Sequence, residues 1–195
     1  SLPLERVKVE RGRLADEVEL DPADSYLRYR FTPDGVSPRA FPGQGRALVC
    51  STGDEHDQSG HITEDPSLRT AMVDKRWRKL DLLGDRSALE ADIQPGADML
   101  LTGWGSTRGA LREAVDTLRR DGRKVSFVHI NRLWPFPEQQ FSRAARDHGR
   151  VVAVENNSMG QLARLIRMET GVRADQCVLK YDGRPFCARD IIERI

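Results

Sequence analysis

The chain has little cysteine and no long apolar run, and each shortage excludes a class of protein. Its three cysteines, Cys50, Cys177 and Cys187, are odd in number and far apart, without a CxxC pair. This pattern argues against a disulfide framework, a zinc ribbon and a four-cysteine iron–sulfur site. No segment approaches the roughly 20 apolar residues of a membrane-spanning helix. We therefore expect a cytoplasmic protein without a membrane partner.

Net charge of one sign is also lacking. The 31 Lys and Arg residues are balanced by 30 Asp and Glu residues, which leaves a net charge of +1. A balance of this kind gives no reason to expect nucleic acid as a partner.

The first quarter of the sequence differs in composition from the rest. Residues 1–45 contain many prolines and charges and show no sustained hydrophobic period. Such a segment seldom folds alone, so we predict an extended arm, residues 1–45, that docks on a neighbouring domain. Residues 46–195 are predicted to form one α/β domain.

Strand-like and helix-like segments alternate within residues 46–195. The predicted strands are 47–51, 98–102, 125–130, 151–154 and 177–180. The predicted helices are 66–83, 108–120, 138–148, 161–170 and 188–194, the first of them started by Asp65 and Pro66. Alternation of this kind predicts an open, mainly parallel sheet with helices on both faces.

A glycine-rich turn follows the second predicted strand and is a candidate site. It consists of Gly103, Trp104, Gly105, Ser106 and Thr107. Its backbone N–H groups and the following helix N-terminus can cradle an anion. The sequence matches neither the dinucleotide fingerprint nor a P-loop. We favour a tight turn that needs glycine, with Ser106 or Thr107 as the helix N-cap.

A second polar segment is expected at the same edge of the sheet. Glu155, Asn156 and Asn157 follow the strand 151–154. Open parallel sheets bind ligands at the carboxyl ends of their strands. We therefore predict these residues, together with the glycine turn, as anion- or partner-binding candidates. No nucleophile with an obvious base accompanies them, and His129 is expected to be structural, so we predict no catalytic residue.

Acidic and histidine residues concentrate in one loop, where the sequence places Asp54, Glu55, His56, Asp57 and His61, with Glu64 and Asp65 shortly after them. Their spacing fits neither the HExxH motif nor a calcium loop. We predict no metal, and we interpret this loop, together with Arg39, as a segment that contacts a neighbouring domain.

Several segments carry a resemblance to a known family. In the second half of the chain they are GWGSTRGALREAVDTLRRDGRKVSFVHINRLWPFP, VVAVENNSMGQLARLIRMETG and KYDGRPF, and upstream they are DGVSPRAFPG and STGDEHDQSGHITEDPSLRTAMVDKRWRKL. The first three resemble the second domain of the α subunit of 2-oxoacid:ferredoxin oxidoreductases, above all the 2-oxoglutarate type. The upstream segments resemble the part that joins this domain to the thiamine-binding first domain. The resemblance extends from about Leu27 to the end and implies a transketolase C-terminal-like fold.

The resemblance also implies an activity. The family decarboxylates a 2-oxoacid on thiamine diphosphate, passes the electrons through iron–sulfur clusters to ferredoxin, and transfers the acyl group to coenzyme A. The whole enzyme is expected to use thiamine diphosphate, Mg, an iron–sulfur cluster and CoA. The implied partners are the thiamine-binding domain I of the α subunit, a β subunit carrying the cluster, a γ domain or subunit, and ferredoxin indirectly.

This sequence departs from a complete enzyme of that kind. It lacks the GDG…N motif for thiamine diphosphate, the cluster cysteines, the first domain and a starting methionine. We therefore expect a C-terminal piece of an α subunit that binds none of these cofactors alone, is inactive in isolation and serves assembly. The alternatives are a free-standing α/β interaction or small-anion-binding module, and the equivalent domain of another thiamine enzyme such as a transketolase.

Overall fold

The computed structural model describes residues 8–20, 26–84 and 88–195. The chain divides into two compact units, residues 1–84 and 85–195, which we call the N-terminal and C-terminal units. The sequence placed the start of the α/β domain at residue 46, whereas the structure groups residues 46–84 with the preceding segment. The docking of residues 1–45 on a neighbouring domain stays a prediction.

The N-terminal unit contains one long helix, α1 (Pro66–Arg78), which continues into a 3-10 turn, Lys79–Leu83. The side chain of Asp65 accepts a hydrogen bond from the backbone nitrogen of Leu68 at 2.7 Å. Pro66 occupies the first helical position, where its missing N–H group has no cost. These contacts confirm the helix start that the sequence predicts.

The predicted strand 47–51 is wrong. These residues belong to no strand and pair with no strand in the described part of the chain. Instead, Ala47 and Val49 pack on a small apolar cluster of Ala15, Leu20 and Ala40. A strand is stabilised by its ladder of backbone hydrogen bonds, so β-forming residues without a partner strand remain an irregular segment.

The C-terminal unit is built on a five-stranded sheet with the spatial order β1-β3-β2-β4-β5. Its strands are β1 (Leu89–Asp92), β2 (Met99–Trp104), β3 (Val125–Ile130), β4 (Arg150–Glu155) and β5 (Gln176–Leu179). Strands β2 to β5 are parallel, and β1 is an antiparallel edge strand. The central strands are almost wholly buried, as expected for a parallel sheet covered on both faces.

Helices cover both faces of this sheet: α2 (Arg108–Arg120), α3 (Glu138–Ala145), α4 (Gln161–Thr170) and α5 (Ala188–Ile192). Helices α2 and α5 share one apolar core with the sheet, and α3 and α4 share the other. The buried residues of α2 follow the period of a helix: Ala110, Leu111, Ala114, Val115 and Leu118. The predicted open, mainly parallel α/β sheet is confirmed.

Strand β1 was not predicted from the sequence. It is four residues long and alternates apolar with acidic side chains, which is a weak strand signal. Its acids pair with helix α2: Arg108 Nε donates to Glu90 at 2.6 Å, and Arg119 Nη1 donates to Asp92 at 2.9 Å. The strand therefore depends on contacts from residues that lie 18 and 27 positions later in the chain.

Candidate functional site

The carboxyl edge of the sheet brings together the two segments that the sequence singles out. Strand β2 ends in the glycine turn 103–107, and β4 ends in the segment 155–157. Because β2 and β4 are neighbouring parallel strands, both segments lie at the same edge, as predicted. The loop after β5, residues 180–187, begins there as well.

The glycine turn is shaped by packing. A Cβ atom on Gly103 would lie 2.5 Å from Leu111 Cδ1 and 3.0 Å from the backbone oxygen of Val154, so only glycine fits. Gly105 has a φ of 58°, a left-handed conformation that glycine adopts without strain. These two requirements support the structural interpretation of the turn.

Thr107 is the N-cap residue of α2, one of the two positions that the sequence predicts, but its side chain makes no capping hydrogen bond. Its buried hydroxyl instead donates to the carbonyl of Trp104 at 2.8 Å. A single turn of 3-10 helix, residues 105–107, leads directly into α2, so the backbone of Thr107 is already helical. The Trp104 side chain is half-buried against the core shared with α3 and α4.

His129 links the turn to the neighbouring strand. Its Nε2 lies 3.1 Å from the Gly105 carbonyl oxygen, and its Nδ1 lies 3.0 Å from the side-chain oxygen of Asn131. A carbonyl oxygen only accepts, so Nε2 carries a proton. The side chain is buried, with both ring nitrogens engaged, in agreement with the expected structural histidine.

Glu155 is fully buried at the N-terminus of α4. Its carboxylate accepts hydrogen bonds from the backbone nitrogens of Leu162 at 2.7 Å and Ala163 at 3.1 Å. Asn157 donates to the same carboxylate at 2.8 Å, and its own side-chain oxygen accepts from the backbone nitrogen of Gly160 at 2.8 Å. Glu155 and Asn157 therefore cap α4, and an internal carboxylate occupies the position that an external anion takes at a helix N-terminus.

Two of the predicted side chains are exposed to solvent at this edge. Ser106 and Asn156 are exposed and line a shallow depression together with the loop after β5: Lys180, Tyr181, Gly183, Arg184 and Pro185. Lys180 Nζ pairs with Asp190 at 2.7 Å. The binding of an anion or a partner by residues 103–107 and 155–157 stays a prediction. Because the other side chains are buried, half-buried or hydrogen-bonded within the protein, the remaining candidates are Ser106, Asn156 and the backbone of the glycine turn.

The acidic loop of the N-terminal unit is organised by its own hydrogen bonds. Asp57 Oδ1 accepts from the backbone nitrogens of Ser59 and Gly60, at 2.8 and 2.9 Å, and from His61, at 3.1 Å. The pKa of Asp57 lies below its ordinary value, mainly because the Ser59 hydroxyl donates a hydrogen bond to this carboxylate. The backbone hydrogen bonds lower the pKa further. His61 Nδ1 lies 2.6 Å from the hydroxyl of Ser59.

The remaining predicted contact residues are also engaged within the N-terminal unit. His56 packs on Tyr29 with ring centroids 3.9 Å apart, and its Nδ1 lies 3.2 Å from the carbonyl oxygen of Asp54. Arg39 donates to the carbonyl of Arg11 at 2.9 Å. Their contact with a neighbouring domain stays a prediction.

Glu55, a member of the acidic cluster in the sequence, joins this loop to α1, a contact that sequence reasoning missed. Its carboxylate accepts from Arg76 at 2.7 Å and from Arg69 at 3.3 Å. The Arg76 hydrogen bond, more than any other contact, lowers the pKa of Glu55 to about 2. The sequence did contain a signal for this contact, because Arg69 and Arg76 are spaced to lie on the same face of α1.

The described residues do not fit a metal ion or a four-cysteine iron–sulfur cluster, two of the groups that the resemblance implies. Among the described residues, no group of three or more His, Cys, Asp or Glu side chains is arranged to hold a metal ion. A four-thiolate cluster needs four cysteines, and the chain has three. Glu155, the acidic residue at this edge of the sheet, accepts the backbone N–H groups of α4 and has no position from which to bind a metal ion.

In the described ranges, no helix is both long and apolar enough to cross a membrane.

The C-terminal unit is thus an α/β domain whose polar edge residues mainly stabilise its own turns. Residues 97–191, most of this unit, match the family model described as pyruvate:ferredoxin oxidoreductase core domain II. Residues 97–191 therefore belong to that domain family, whose members are parts of oxidoreductases.

The relatives give the more particular assignment. The chain is 34% identical over its whole length to 30% of the 2-oxoacid:ferredoxin oxidoreductase 1 α subunit of Sulfurisphaera tokodaii. It is 39% identical, over 68% of its length, to 20% of the 2-oxoglutarate oxidoreductase subunit KorA of Mycobacterium tuberculosis. The predicted resemblance to an α subunit of this family is confirmed, and the chain spans only about 30% or less of these two relatives.

A solved structure agrees with this assignment. The 2-oxoglutarate:ferredoxin oxidoreductase of Magnetococcus marinus, determined with 2-oxoglutarate, coenzyme A and succinyl-CoA bound, is similar with a TM-score of 0.79 at 30% identity. The similarity covers 97% of this chain and 32% of that chain.

Proposed function

We propose that this chain is the domain II region of the α subunit of a 2-oxoglutarate:ferredoxin oxidoreductase. The whole enzyme decarboxylates the 2-oxoacid oxidatively, delivers the electrons to ferredoxin and forms acyl-CoA. The observation that carries this proposal is the 34% identity to an α subunit over the full length of the chain. The match of residues 97–191 to core domain II supports it independently.

The choice of 2-oxoglutarate is the finer part of the proposal. It is supported by the relative from Mycobacterium tuberculosis and by the structure from Magnetococcus marinus, both of which are named for 2-oxoglutarate. The relative from Sulfurisphaera tokodaii is named for 2-oxoacids in general. A 2-oxoglutarate enzyme agrees with both kinds of name.

Within the complex, this region positions its neighbours and takes no catalytic part. The support is chemical: at the carboxyl edge, Glu155 and His129 are buried and hydrogen-bonded to the protein itself. Catalysis by an acid, base or nucleophile requires a group that reaches the substrate. Thiamine diphosphate, Mg, the iron–sulfur cluster and CoA then bind to the other parts of a cytoplasmic complex.

The partners follow from the same proposal. They are domain I of the α subunit, the β subunit, a γ domain or subunit, and ferredoxin indirectly. The exposed residues Ser106 and Asn156, with the backbone of the glycine turn, are the contact candidates in the C-terminal unit. The loop that holds Asp54 and Asp57 is the candidate in the N-terminal unit.

The test of this role compares the isolated chain with the assembled enzyme. The enzyme carrying this sequence is assayed for CoA-dependent reduction of methyl viologen with 2-oxoglutarate and, separately, with pyruvate. We expect a higher kcat/KM for 2-oxoglutarate and no turnover by the isolated chain. A higher kcat/KM for pyruvate would contradict the proposal that 2-oxoglutarate is the substrate. Turnover by the isolated chain would contradict the proposal that this region is not catalytic.

A further inference from the structure

A groove in the C-terminal unit lies outside every site considered above. Its walls come from α4 and the segment just before it, from β5, and from the loop between them. It is lined by Gly160, Ala163, Arg164, Arg167, Arg173 and Cys177, with Met159 and Leu179 also contributing. We call it the arginine groove. Strand β5 is the last strand of the sheet, so the groove lies at one side of the sheet.

The groove carries three positive charges without a counter-ion. In residues 88–195, all described, the guanidinium groups of Arg164, Arg167 and Arg173 form no hydrogen bond and no ion pair. By contrast, Arg112 and Arg119 of the same unit bind the acids of β1. The three groove arginines are therefore available to an anion from outside.

Two acids beside the groove already accept backbone hydrogen bonds. Glu155, behind Gly160, accepts the backbone N–H groups of α4. Asp175, two residues after Arg173, accepts from the backbone nitrogen of Val151 at 2.8 Å. Neither carboxylate is free to turn toward the guanidinium groups without leaving a buried N–H group unpaired.

The shape of the groove suits a small ligand. Its volume is about 330 Å³, at the lower end of the roughly 300–1,000 Å³ typical of small-molecule sites. Ala163, Leu179 and the exposed Met159 supply apolar surface beside the charges. Guanidinium groups bind phosphate and carboxylate oxygens in a bidentate manner, and three of them match a ligand with two or more negative charges.

We propose that the arginine groove binds a compact polyanion, through phosphate or carboxylate groups, on Arg164, Arg167 and Arg173. The ligand is a small phosphorylated or polycarboxylate molecule whose apolar portion lies on Ala163 and Leu179. This inference goes beyond the proposed function and stands or falls independently of it.

Cys177 provides the reporter, because its thiol lies in the groove and is exposed. Replacing the other two cysteines, C50S and C187S, leaves Cys177 as the single thiol of the full chain. Burial, with a smaller contribution from Glu155, raises the pKa of this thiol, so labelling with N-ethylmaleimide is followed at pH 8.5. Inorganic pyrophosphate and citrate serve as the two probes, each also titrated by calorimetry.

We expect at least one probe to slow the labelling of Cys177. Protection by pyrophosphate alone identifies phosphate as the ligand chemistry, and protection by citrate alone identifies carboxylate. Arg167→Gln and Arg173→Gln should each weaken binding by about tenfold, the effect of losing one charge-assisted hydrogen bond. Arg143→Gln, which removes an exposed charge from α3, is the matched control and should bind as the parent does.

Three results would overturn the proposal. The first is that neither probe slows labelling or releases heat. The second is that both groove variants bind as tightly as the parent, and the third is that Arg143→Gln weakens binding equally. Because Arg173 lies in a loop and Arg167 on an exposed helix face, circular dichroism melting of each variant confirms that binding is measured on folded protein.

Discussion

The carboxylate of Glu155 lies 2.7 Å from the backbone nitrogen of Leu162, and no part of the glutamate is exposed to solvent. The last residue of strand β4 thereby fixes the first turn of helix α4. A buried negative charge is favourable here because it faces the positive end of the helix dipole.

Glu155→Ala should destabilise the protein. It leaves the N–H groups of Leu162 and Ala163 without an acceptor in a buried place, which we expect to cost about 2 kcal/mol or more. The free energy of unfolding in urea measures this effect. Asn156→Ala, an exposed neighbour, should change stability by less than about 0.5 kcal/mol, and an equal loss in both variants would contradict the cap.

Gly103→Ala should also destabilise the protein, through steric overlap. The new Cβ atom would lie 2.5 Å from both Leu111 Cδ1 and Thr107 Oγ1, so we expect a cost of about 1–3 kcal/mol. Gly109→Ala is the matched control because nothing lies within 4 Å of its Cβ position in α2. It should stabilise the protein by about 0.5–1 kcal/mol, and thermal melting that ranks the two variants otherwise would refute the packing argument.

Glu90 in strand β1 should make the free energy of unfolding depend on pH in the acidic range. The hydrogen bond from Arg108, followed by that from Arg112, lowers the pKa of Glu90 from 4.5 to about 2. A lowered folded-state pKa contributes stability that is present above the unfolded value and is lost as the pH falls from about 4.5 to about 2. Glu90→Gln should therefore flatten the dependence of unfolding free energy on pH in that window.

Urea denaturation at several pH values measures this slope. Glu113→Gln provides the control, since Glu113 is exposed on α2 and forms no ion pair. If Glu90→Gln and Glu113→Gln give the same curve as the parent, the pairing of Glu90 with the arginines does not contribute to stability.

Lys75 should make stability depend on pH in the alkaline range as well. Its side chain is buried, and Nζ donates to the carbonyl of Gly35 at 3.0 Å. Burial, with neighbouring cations including Lys79 and Arg28, lowers the pKa of Lys75 to about 8. The folded state then binds fewer protons than the unfolded state between pH 8 and 10.5, so stability rises with pH there.

Lys75→Met keeps the length of the side chain and removes the titrating group. We expect its unfolding free energy to lack this rise between pH 8 and pH 9.5. Lys8→Met, which removes an exposed lysine, should retain it. A rise that is the same in Lys75→Met and in the parent would show that another group titrates.

The predictable parts of the fold are those with local causes. Helix α2 (Arg108–Arg120) and strand β3 (Val125–Ile130) have the predicted bounds, because their apolar period and the Asp121-Gly122 terminator are encoded within each segment. Helix α4 (Gln161–Thr170) is equally local and ends at Gly171 in the left-handed conformation.

The parts that were missed depend on distant partners. Residues 47–51 have strand-like side chains but no ladder to join, whereas Leu89–Asp92 are weak strand formers held by arginines of α2. At the site, the sequence predicted that the glycine turn and Glu155 lie at the same edge of the sheet, because both follow strands of a parallel sheet. It did not predict that Glu155 caps α4. That role depends on a helix that starts six residues later, after a sharp turn.

The most direct test of the proposed function is purification of the protein carrying this sequence from its source organism through an affinity tag. The account predicts co-purification of an iron–sulfur protein and thiamine diphosphate, and CoA-dependent reduction of methyl viologen by the purified material with 2-oxoglutarate. Purified protein that contains neither cofactor and reduces viologen with no 2-oxoacid would contradict the account.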